Sequence, residues 1–182
     1  MTSPTSRLPG DPSHEQALAR MIRVDHAGEY GAARIYAGQI AAMRNRGKLD
    51  LLRHMQAQEQ AHLETFNAMV AQRRVRPTAL LPFWHLAGFA LGAVTAALGE
   101  KAAMACTVAV EEVIDAHYAD QIADLGKSEP ELTATLEKFR AEEIEHRDIG
   151  LAHGAEQVPG YRLLSAAIKA GCRVAIGLSE RI

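Results

Sequence analysis

The stretch that decides the fold is Ala141-Glu142-Glu143-Ile144-Glu145-His146-Arg147. Glu143 and His146 are three residues apart, so in a helix both side chains leave the same face. The same spacing occurs at Glu59 and His62, in the string Gln58-Glu59-Gln60-Ala61-His62. One such pair is most often a surface pair on a polar helix. Two pairs become informative when the residues around them are compared.

Each Glu-x-x-His pair follows a lone glutamate in the same order. Glu29 precedes the string Tyr-Ala-Gly-Gln-Ile at 36–40, and Glu111 precedes Tyr-Ala-Asp-Gln-Ile at 118–122, at the same offset. This register selects Glu111 over its neighbour Glu112. The chain therefore looks like one helical hairpin used twice, an internal repeat.

Apolar residues recur at helical spacing in four segments, and each segment carries its glutamate or its Glu-x-x-His pair on the apolar face. The predicted helices run from the N-cap Ser13 to about 46, then over 49–74, 102–125 and 130–153, with Gly47, Gly126 and Gly154 as stops. In antiparallel hairpins of these lengths the two glutamates of each hairpin differ in height by less than ~10 Å. All four helices can then present polar side chains at one level of the core.

Four carboxylates meeting in a core without counter-charge would cost many kcal/mol, and two histidines at ligand spacing favour a metal as the relief. Four carboxylates and two imidazoles supply oxygen and nitrogen ligands without a thiolate, and these six side chains are too many for one zinc ion. They fill the template of ferritin-like four-helix bundles that bind paired iron or manganese. We expect Glu59 and Glu143 to bridge the ions, with one histidine on each ion. The predicted ligands are Glu29, Glu59, His62, Glu111, Glu143 and His146.

Other polar residues near the repeat have weaker predictions. Three acids are expected to be ordinary surface acids, with acceptance of an imidazole N–H as the alternative: Asp25, Asp115 and Asp148. Three are expected to be solvated: Glu112, Glu142 and Glu145. Tyr36 and Tyr118 are expected in the core, with a hydrogen-bonding or radical role as the alternative. Spacing assigns no role to His26, His54, His117 or His153.

Two further segments bear on where the protein works. Residues 80–99 contain no Asp, Glu, Lys or Arg. The segment could span a bilayer or be a buried helix, and we favour one that packs on the bundle and dips into one leaflet. Residues 161–181 predict a basic amphipathic helix, either a membrane-surface element or an ordinary outer helix.

Composition limits the remaining possibilities. We expect residues 1–12 to be a flexible lead without a secretory signal, and 13–182 to form a single domain. A net charge of −2 gives no reason to expect nucleic acid as a partner. Cys106 and Cys172 are isolated, which predicts neither a disulfide framework nor a zinc site and indicates a reducing compartment.

Three strings carry a family resemblance: Arg-Val-Asp-His-Ala-Gly-Glu-Tyr-Gly-Ala at 23–32, Ala-Met-Ala-Cys-Thr-Val-Ala-Val-Glu-Glu at 103–112 and Phe-Arg-Ala-Glu-Glu-Ile-Glu-His-Arg-Asp-Ile-Gly at 139–150. They resemble the demethoxyubiquinone hydroxylase family of ubiquinone biosynthesis, and all six predicted ligands match its pattern. The resemblance implies an O2-dependent di-iron monooxygenase with two Fe ions. It would be peripherally bound to membrane and would hydroxylate the ring of a polyprenylated demethoxyquinol.

The resemblance leaves the electron source and the setting open. No Gly-x-Gly-x-x-Gly string follows a strand pattern, so electrons would come from a partner, from reduced nicotinamide such as NADH, or from the quinol. We expect the protein to lie at the cytoplasmic face of a bacterial inner membrane. It would work there as a homo-oligomer or in a biosynthetic complex. One rival is a ferritin-like ferroxidase or iron-storage protein, against which the uncharged 80–99 segment argues. Another is a non-catalytic membrane scaffold.

Overall fold

The computed structural model describes residues 11–43 and 49–182, and within these ranges the chain forms six α-helices. A single 3₁₀ turn at Ala155–Gln157 precedes the last helix. The helices are α1 (His14–Ala42), α2 (Leu49–Gln72), α3 (Leu81–Ala97), α4 (Glu100–Leu125), α5 (Pro130–Ala152) and α6 (Tyr161–Ser179).

The first helix begins where the sequence predicts and ends earlier. The Ser13 side chain accepts from the Gln16 backbone N–H at 3.1 Å, and the Gln16 side chain accepts from the Ser13 N–H at 2.8 Å. These two bonds form a capping box. Met43 is already extended, with ψ of 119°, so the helix stops at Ala42 rather than near residue 46. Gly47 and residues 1–10 of the predicted lead lie outside the described residues.

Helices α1, α2, α4 and α5 form the predicted bundle, with α1 packed on α2 and α4 on α5. Helix α4 is central, because it contacts α1 and α5 within the bundle and α3 and α6 outside it. Every residue from 102 to 110 is accordingly buried, and small alanines in this stretch let the neighbouring helices approach. The all-α bundle prediction is confirmed, whereas the single-domain prediction stays a prediction.

Helix α3 is the apolar segment, and it lies along α1 through glycines. A Cβ added to Gly88 would come within 2.9 Å of the Gly31 carbonyl oxygen, and one added to Gly92 within 3.0 Å of the Gln39 amide nitrogen. Side chains at these positions would push the two helices apart. The segment packs on the bundle, as both the favoured expectation and the buried-helix alternative require, and its dip into one leaflet stays a prediction. Gly99, at φ of +123°, separates α3 from α4, which begins at Glu100, two residues before the predicted start.

Helix α6 packs on α4 and differs in part from the amphipathic helix that the sequence predicts. Helical spacing puts Ser165 and Lys169 on one polar face of this helix with Arg162 and Arg173. Ser165 is nevertheless buried, and Lys169 contacts Glu112 of α4. Leu163 and Val174 point outward, 78% and 61% exposed. The outer surface of α6 is thus mixed, because the helix turns part of its polar face toward an acid on its neighbour. Across residues 11–43 and 49–182, no helix has the length and apolar character needed to cross a membrane.

Candidate metal centre

The six predicted ligands are brought together in the middle of the bundle. They come from α1, α2, α4 and α5, and each is at most 1% exposed. Their carboxylate oxygens and ring nitrogens form two groups, within each of which the atoms lie no more than 4.8 Å apart. The first group is Glu29, Glu59, His62 and Glu143, and the second is Glu59, Glu111, Glu143 and His146.

Glu59 and Glu143 belong to both groups, which is the arrangement expected of bridging ligands. Each group takes three side chains from one hairpin and one from the other. His62 Nδ1 lies 3.1 Å from Glu143 Oε1, and His146 Nδ1 lies 3.1 Å from Glu59 Oε1. The histidine of each hairpin therefore faces the shared glutamate of the other hairpin.

The donor atoms that face the centre suit a metal because the protein does not otherwise satisfy them. Both oxygens of Glu59 and of Glu143, and the Nδ1 atoms of His62 and His146, are buried without a hydrogen-bond partner among the described residues. Buried polar atoms are nearly always paired in folded proteins. This many carboxylate oxygens and imidazole nitrogens without a hydrogen-bond partner at one point fit a cluster that could hold metal ions.

Electrostatics of the metal-free cluster agree with this interpretation. Burial, together with the charge of Glu143, raises the pKa of Glu59 and of Glu111. Although burial alone would raise it, the pKa of Glu143 is lowered to about 2 because both histidines contact this carboxylate. Burial disfavours charge on His62, but Glu143 and Glu29 prevail and raise its pKa to about 11. Without a metal, the site must therefore hold protons to limit repulsion between carboxylates.

Each of the two tyrosines of the repeat donates a hydrogen bond to a glutamate of the other hairpin. Tyr36, on the first hairpin, donates to Glu111 Oε1 at 2.9 Å. Tyr118, on the second, donates to Glu29 Oε1. Both rings are buried, as predicted, and the hydrogen-bonding alternative is also met. Each tyrosine thus fixes the one carboxylate that belongs to a single group.

The outer nitrogens of the two cluster histidines have partners that spacing along the chain did not indicate. His62 Nε2 contacts Glu142, predicted to be solvated, and His146 Nε2 contacts Gln58. None of the three predicted aspartates fills this role. Asp25 lies beside His117, Asp115 accepts from Arg140, and Asp148 accepts from Arg147. Spacing along one helix could not indicate these partners, because the contacts cross between α2 and α5. Glu112 is likewise paired with Lys169, and Glu145 is exposed as expected.

Comparison with known proteins identifies the family. The model of the family "Ubiquinone biosynthesis protein COQ7" matches residues 16–179. The chain belongs to the COQ7 family. It is 60% identical over 177 residues to a "3-demethoxyubiquinol 3-hydroxylase" of Rhodospirillum rubrum, covering 97% of this chain and 84% of that protein. It is 54% identical to the Bos taurus and 55% to the Homo sapiens "NADPH-dependent 3-demethoxyubiquinone 3-hydroxylase, mitochondrial". Coverage is 94% and 91% of this chain and 81% and 78% of those relatives.

In this COQ7-family chain an apolar cavity of about 720 Å³ lies between α1, α3, α4 and α6. Most of its wall is aliphatic, aromatic or glycine, and Glu29 and Tyr118 also line it. The cavity therefore reaches the cluster beside one of the two glutamates that belong to a single group. Its position could not be found from spacing, because it depends on how α3 and α6 sit across the bundle.

The same cavity contains a polar pair of Asp25, a candidate acceptor of an imidazole N–H, and His117, to which spacing assigned no role. His117 Nε2 lies 3.4 Å from Asp25 Oδ1, and Gln121 Nε2 donates to that oxygen at 2.7 Å. Burial disfavours the charged imidazole, but Asp25 outweighs it and raises the pKa of His117. Asp25 and His117 both line the cavity. A signal was present in the sequence, since Asp25 and His117 stand four and six residues from Glu29 and Glu111, about one to two helical turns.

Proposed function

We propose that this chain is an O2-dependent di-iron monooxygenase that hydroxylates the ring of a polyprenylated demethoxyquinol in ubiquinone biosynthesis. The observation that carries the proposal is a buried Glu/His cluster reached by an apolar cavity, in a chain of the COQ7 family. The predicted hydroxylase function is confirmed over the ferroxidase alternative, because the relatives quoted above are named as hydroxylases of a ubiquinone precursor.

Two iron ions would be held by Glu29, Glu59, His62, Glu111, Glu143 and His146. Bound there, the ions would supply the redox chemistry that splits O2, one oxygen atom entering the ring and the other leaving as water. The protein contributes a fixed and dry ligand shell. Tyr36 and Tyr118 hold Glu111 and Glu29 in place by donating to them.

The substrate ring would enter the apolar cavity and stop beside Glu29 and Tyr118, where the cavity wall meets the cluster. An almost insoluble polyprenyl quinol needs an apolar route of this kind, because transfer through water would expose its tail. Asp25 and His117 stand on the same wall as polar groups that could bind the ring hydroxyls. A largely apolar pocket with a few polar groups is the usual form of a small-molecule site.

The outer surfaces of α3 and α6 support peripheral attachment to a membrane. Leu86 on α3 is 70% exposed, and Leu163 and Val174 on α6 are also turned outward. Arg162 and Arg173 are exposed on α6 and would meet anionic headgroups. We propose that these helices seat the protein on the cytoplasmic face of a bacterial inner membrane, with the cavity between them open to the quinol pool.

A flotation assay tests the membrane proposal. With vesicles that contain anionic phospholipid, we expect the wild type to float. Leu86→Ser should weaken binding about tenfold or more, since seating a leucine in lipid is worth roughly 1.5–3 kcal/mol. The matched control is Leu151→Ser on α5, at a partly exposed leucine outside α3 and α6. Equal loss in both variants would contradict the assignment of α3 to the surface.

Reduced nicotinamide is the electron source we propose. Two of the relatives are named as NADPH-dependent, and the sequence contains no Rossmann glycine string. The donor would therefore bind at a nonstandard site or deliver electrons through the quinol. NADH and NADPH supplied in separate reactions under limiting quinol would show which nucleotide the chain uses.

The decisive experiment is purification of the chain with its metals, followed by reaction with demethoxyquinol, reduced nicotinamide and O2. We expect two irons per chain and a hydroxylated ring from the wild type. His62→Ala should lose iron and form no hydroxylated product while keeping its helical circular dichroism. His54→Ala, an exposed histidine on the same helix, is the matched control and should behave as wild type. A mineral core would support the iron-storage alternative, and activity retained by His62→Ala would contradict the assigned centre.

A further inference from the structure

The two histidines of the cluster differ in what holds their outer nitrogen. Since Nδ1 of each ring faces the cluster, Nε2 carries the proton and donates outward. His62 Nε2 donates to Glu142 Oε2 on α5 at 2.6 Å. His146 Nε2 donates to Gln58 Oε1 on α2 at 2.9 Å. Both bonds therefore cross between the hairpins, in opposite directions.

Gln58 and Glu142 occupy the same place in the repeat, each directly before a glutamate shared by both groups. The arrangement is therefore symmetric in geometry and asymmetric in charge. One imidazole donates its outer hydrogen bond to a carboxylate, and the other donates to a neutral amide oxygen. The difference survives in the folded protein because the Glu142 side chain is only 26% exposed.

A carboxylate acceptor makes a shorter and roughly twofold stronger hydrogen bond than a neutral one. It also makes the opposite nitrogen of the ring a more basic metal ligand. Among the described residues, the lysine that pairs with Glu142 does not cancel this effect, since Lys138 Nζ is 3.9 Å away and its side chain is 69% exposed. The ring of His62 is thus the better electron donor of the two.

We propose that Glu142 and Gln58 are positioning residues that make the two metal positions unequal. The position of Glu29 and His62 holds its ion more tightly than the position of Glu111 and His146. The ions then load in order, the His62 position first. This inference rests on the metal centre proposed above, but it concerns the inequality of the two positions and not their existence.

Co²⁺ titration of the metal-free protein, followed by calorimetry and visible absorption, tests the order of binding. We expect two resolved steps in the wild type, the tight step being lost in Glu29→Gln and the weak one in Glu111→Gln. Glu142→Gln should weaken the tight step 10- to 100-fold, the usual effect of removing such a partner, and leave the other unchanged. Gln58→Glu should tighten the weak step, and the double exchange should reverse the order.

Glu145→Gln and Lys138→Gln are the matched controls. The first removes the same charge from an exposed position on α5, and the second removes the only cation near Glu142 among the described residues. Both should titrate as wild type. A change in Glu145→Gln equal to that in Glu142→Gln would overturn the proposal, since it would show a general charge effect.

A spectroscopic readout separates this role from a merely structural one. Loaded with ⁵⁷Fe, the wild type should give two Mössbauer quadrupole doublets that converge in Glu142→Gln and in Gln58→Glu and separate again in the double exchange. Two equal steps in the wild-type titration would overturn the inference and leave the metal centre standing. Absence of any metal binding by the wild type would overturn both.

Discussion

At the scale of single residues, the centre is built from groups that destabilise the protein when no metal is present. Glu111 is at most 1% exposed, and burial and two neighbouring carboxylates raise its pKa. Its Oε1 accepts from Tyr36, while its Oε2 has no hydrogen-bond partner among the described residues. A side chain kept at such a cost to stability is typical of a functional site.

Glu111→Gln is therefore expected to separate stability from function. The amide removes a buried ionisable group and can still accept from Tyr36, so the metal-free variant should be more stable than wild type by about 1–2 kcal/mol at pH 8. Metal content should fall from two ions to one. Urea denaturation and metal analysis measure the two effects. Glu112→Gln, at the neighbouring position that contacts Lys169, should stay within about 0.5 kcal/mol of wild type. A less stable metal-free Glu111→Gln would contradict the argument.

At the scale of helices, the site depends on how closely α3 can lie against α1. Gly88 and Gly92 stand one helical turn apart on α3 and face the backbone of α1. This close approach sets one wall of the apolar cavity, to which both helices contribute. Packing of the apolar segment is thus decided by small residues rather than by large complementary side chains.

Gly92→Ala should destabilise the fold, because its methyl group would overlap the Ile35 carbonyl of α1. Overpacking of this kind costs about 1–3 kcal/mol or more, and forced separation of α1 and α3 should also lower substrate binding. Gly177→Ala in α6 is the matched control, since its added Cβ would have no atom within 4 Å. It should be stabilising by roughly 0.5–1 kcal/mol. Thermal unfolding of the two variants compares them directly, and equal melting temperatures would refute the close-packing argument.

Sequence reasoning succeeded where spacing along one helix was enough. Glu29, Glu59 and Glu143 lie together as expected, because the repeat fixes their register and helical period fixes their face, and their role as metal ligands stays a prediction. It failed for Glu142, whose contact with His62 depends on the rotation of α5 against α2. It also misplaced the end of α1, because Met43 turns extended before the predicted stop.

The docking of α3 on α1 shows the same limit at the level of elements. Gly88 and Gly92 are visible in the sequence as small residues one turn apart, but nothing in the pattern states which helix they approach. The position of the cavity depends on which helix α3 packs against. Its lining therefore became evident only from the packed helices, although the uncharged character of α3 was plain from the start.

At the scale of the whole molecule, metal ions bound at the proposed centre would compete with protons for one cluster. In the metal-free protein the pKa values of Glu29, Glu59 and Glu111 are raised by burial, and that of His62 is raised to about 11 by its carboxylate neighbours. The folded chain then binds more protons than the unfolded chain above about pH 4. Stability that depends on raised pKa values is present at low pH and is lost as pH rises.

We therefore expect the free energy of unfolding of the metal-free protein to fall between pH 5.5 and pH 8.5, by up to roughly 1.4 kcal/mol per pH unit for each extra proton held. Glu143, with a pKa of about 2, acts in the opposite direction only in acid. Metal displaces these protons, so the loaded protein should show a much flatter profile. Urea titrations with and without chelator measure both curves. Stability of the metal-free form that rises with pH over this range would contradict the prediction.

The division of each ligand group between the hairpins has a consequence for biosynthesis. When the first hairpin leaves the ribosome it carries Glu29, Glu59 and His62, but Glu143 is still to be translated. In the proposed centre, neither ligand group would be complete until Glu143 of the second hairpin had emerged from the ribosome. A metal ion would then meet a complete group only when helices of both hairpins were available to surround it.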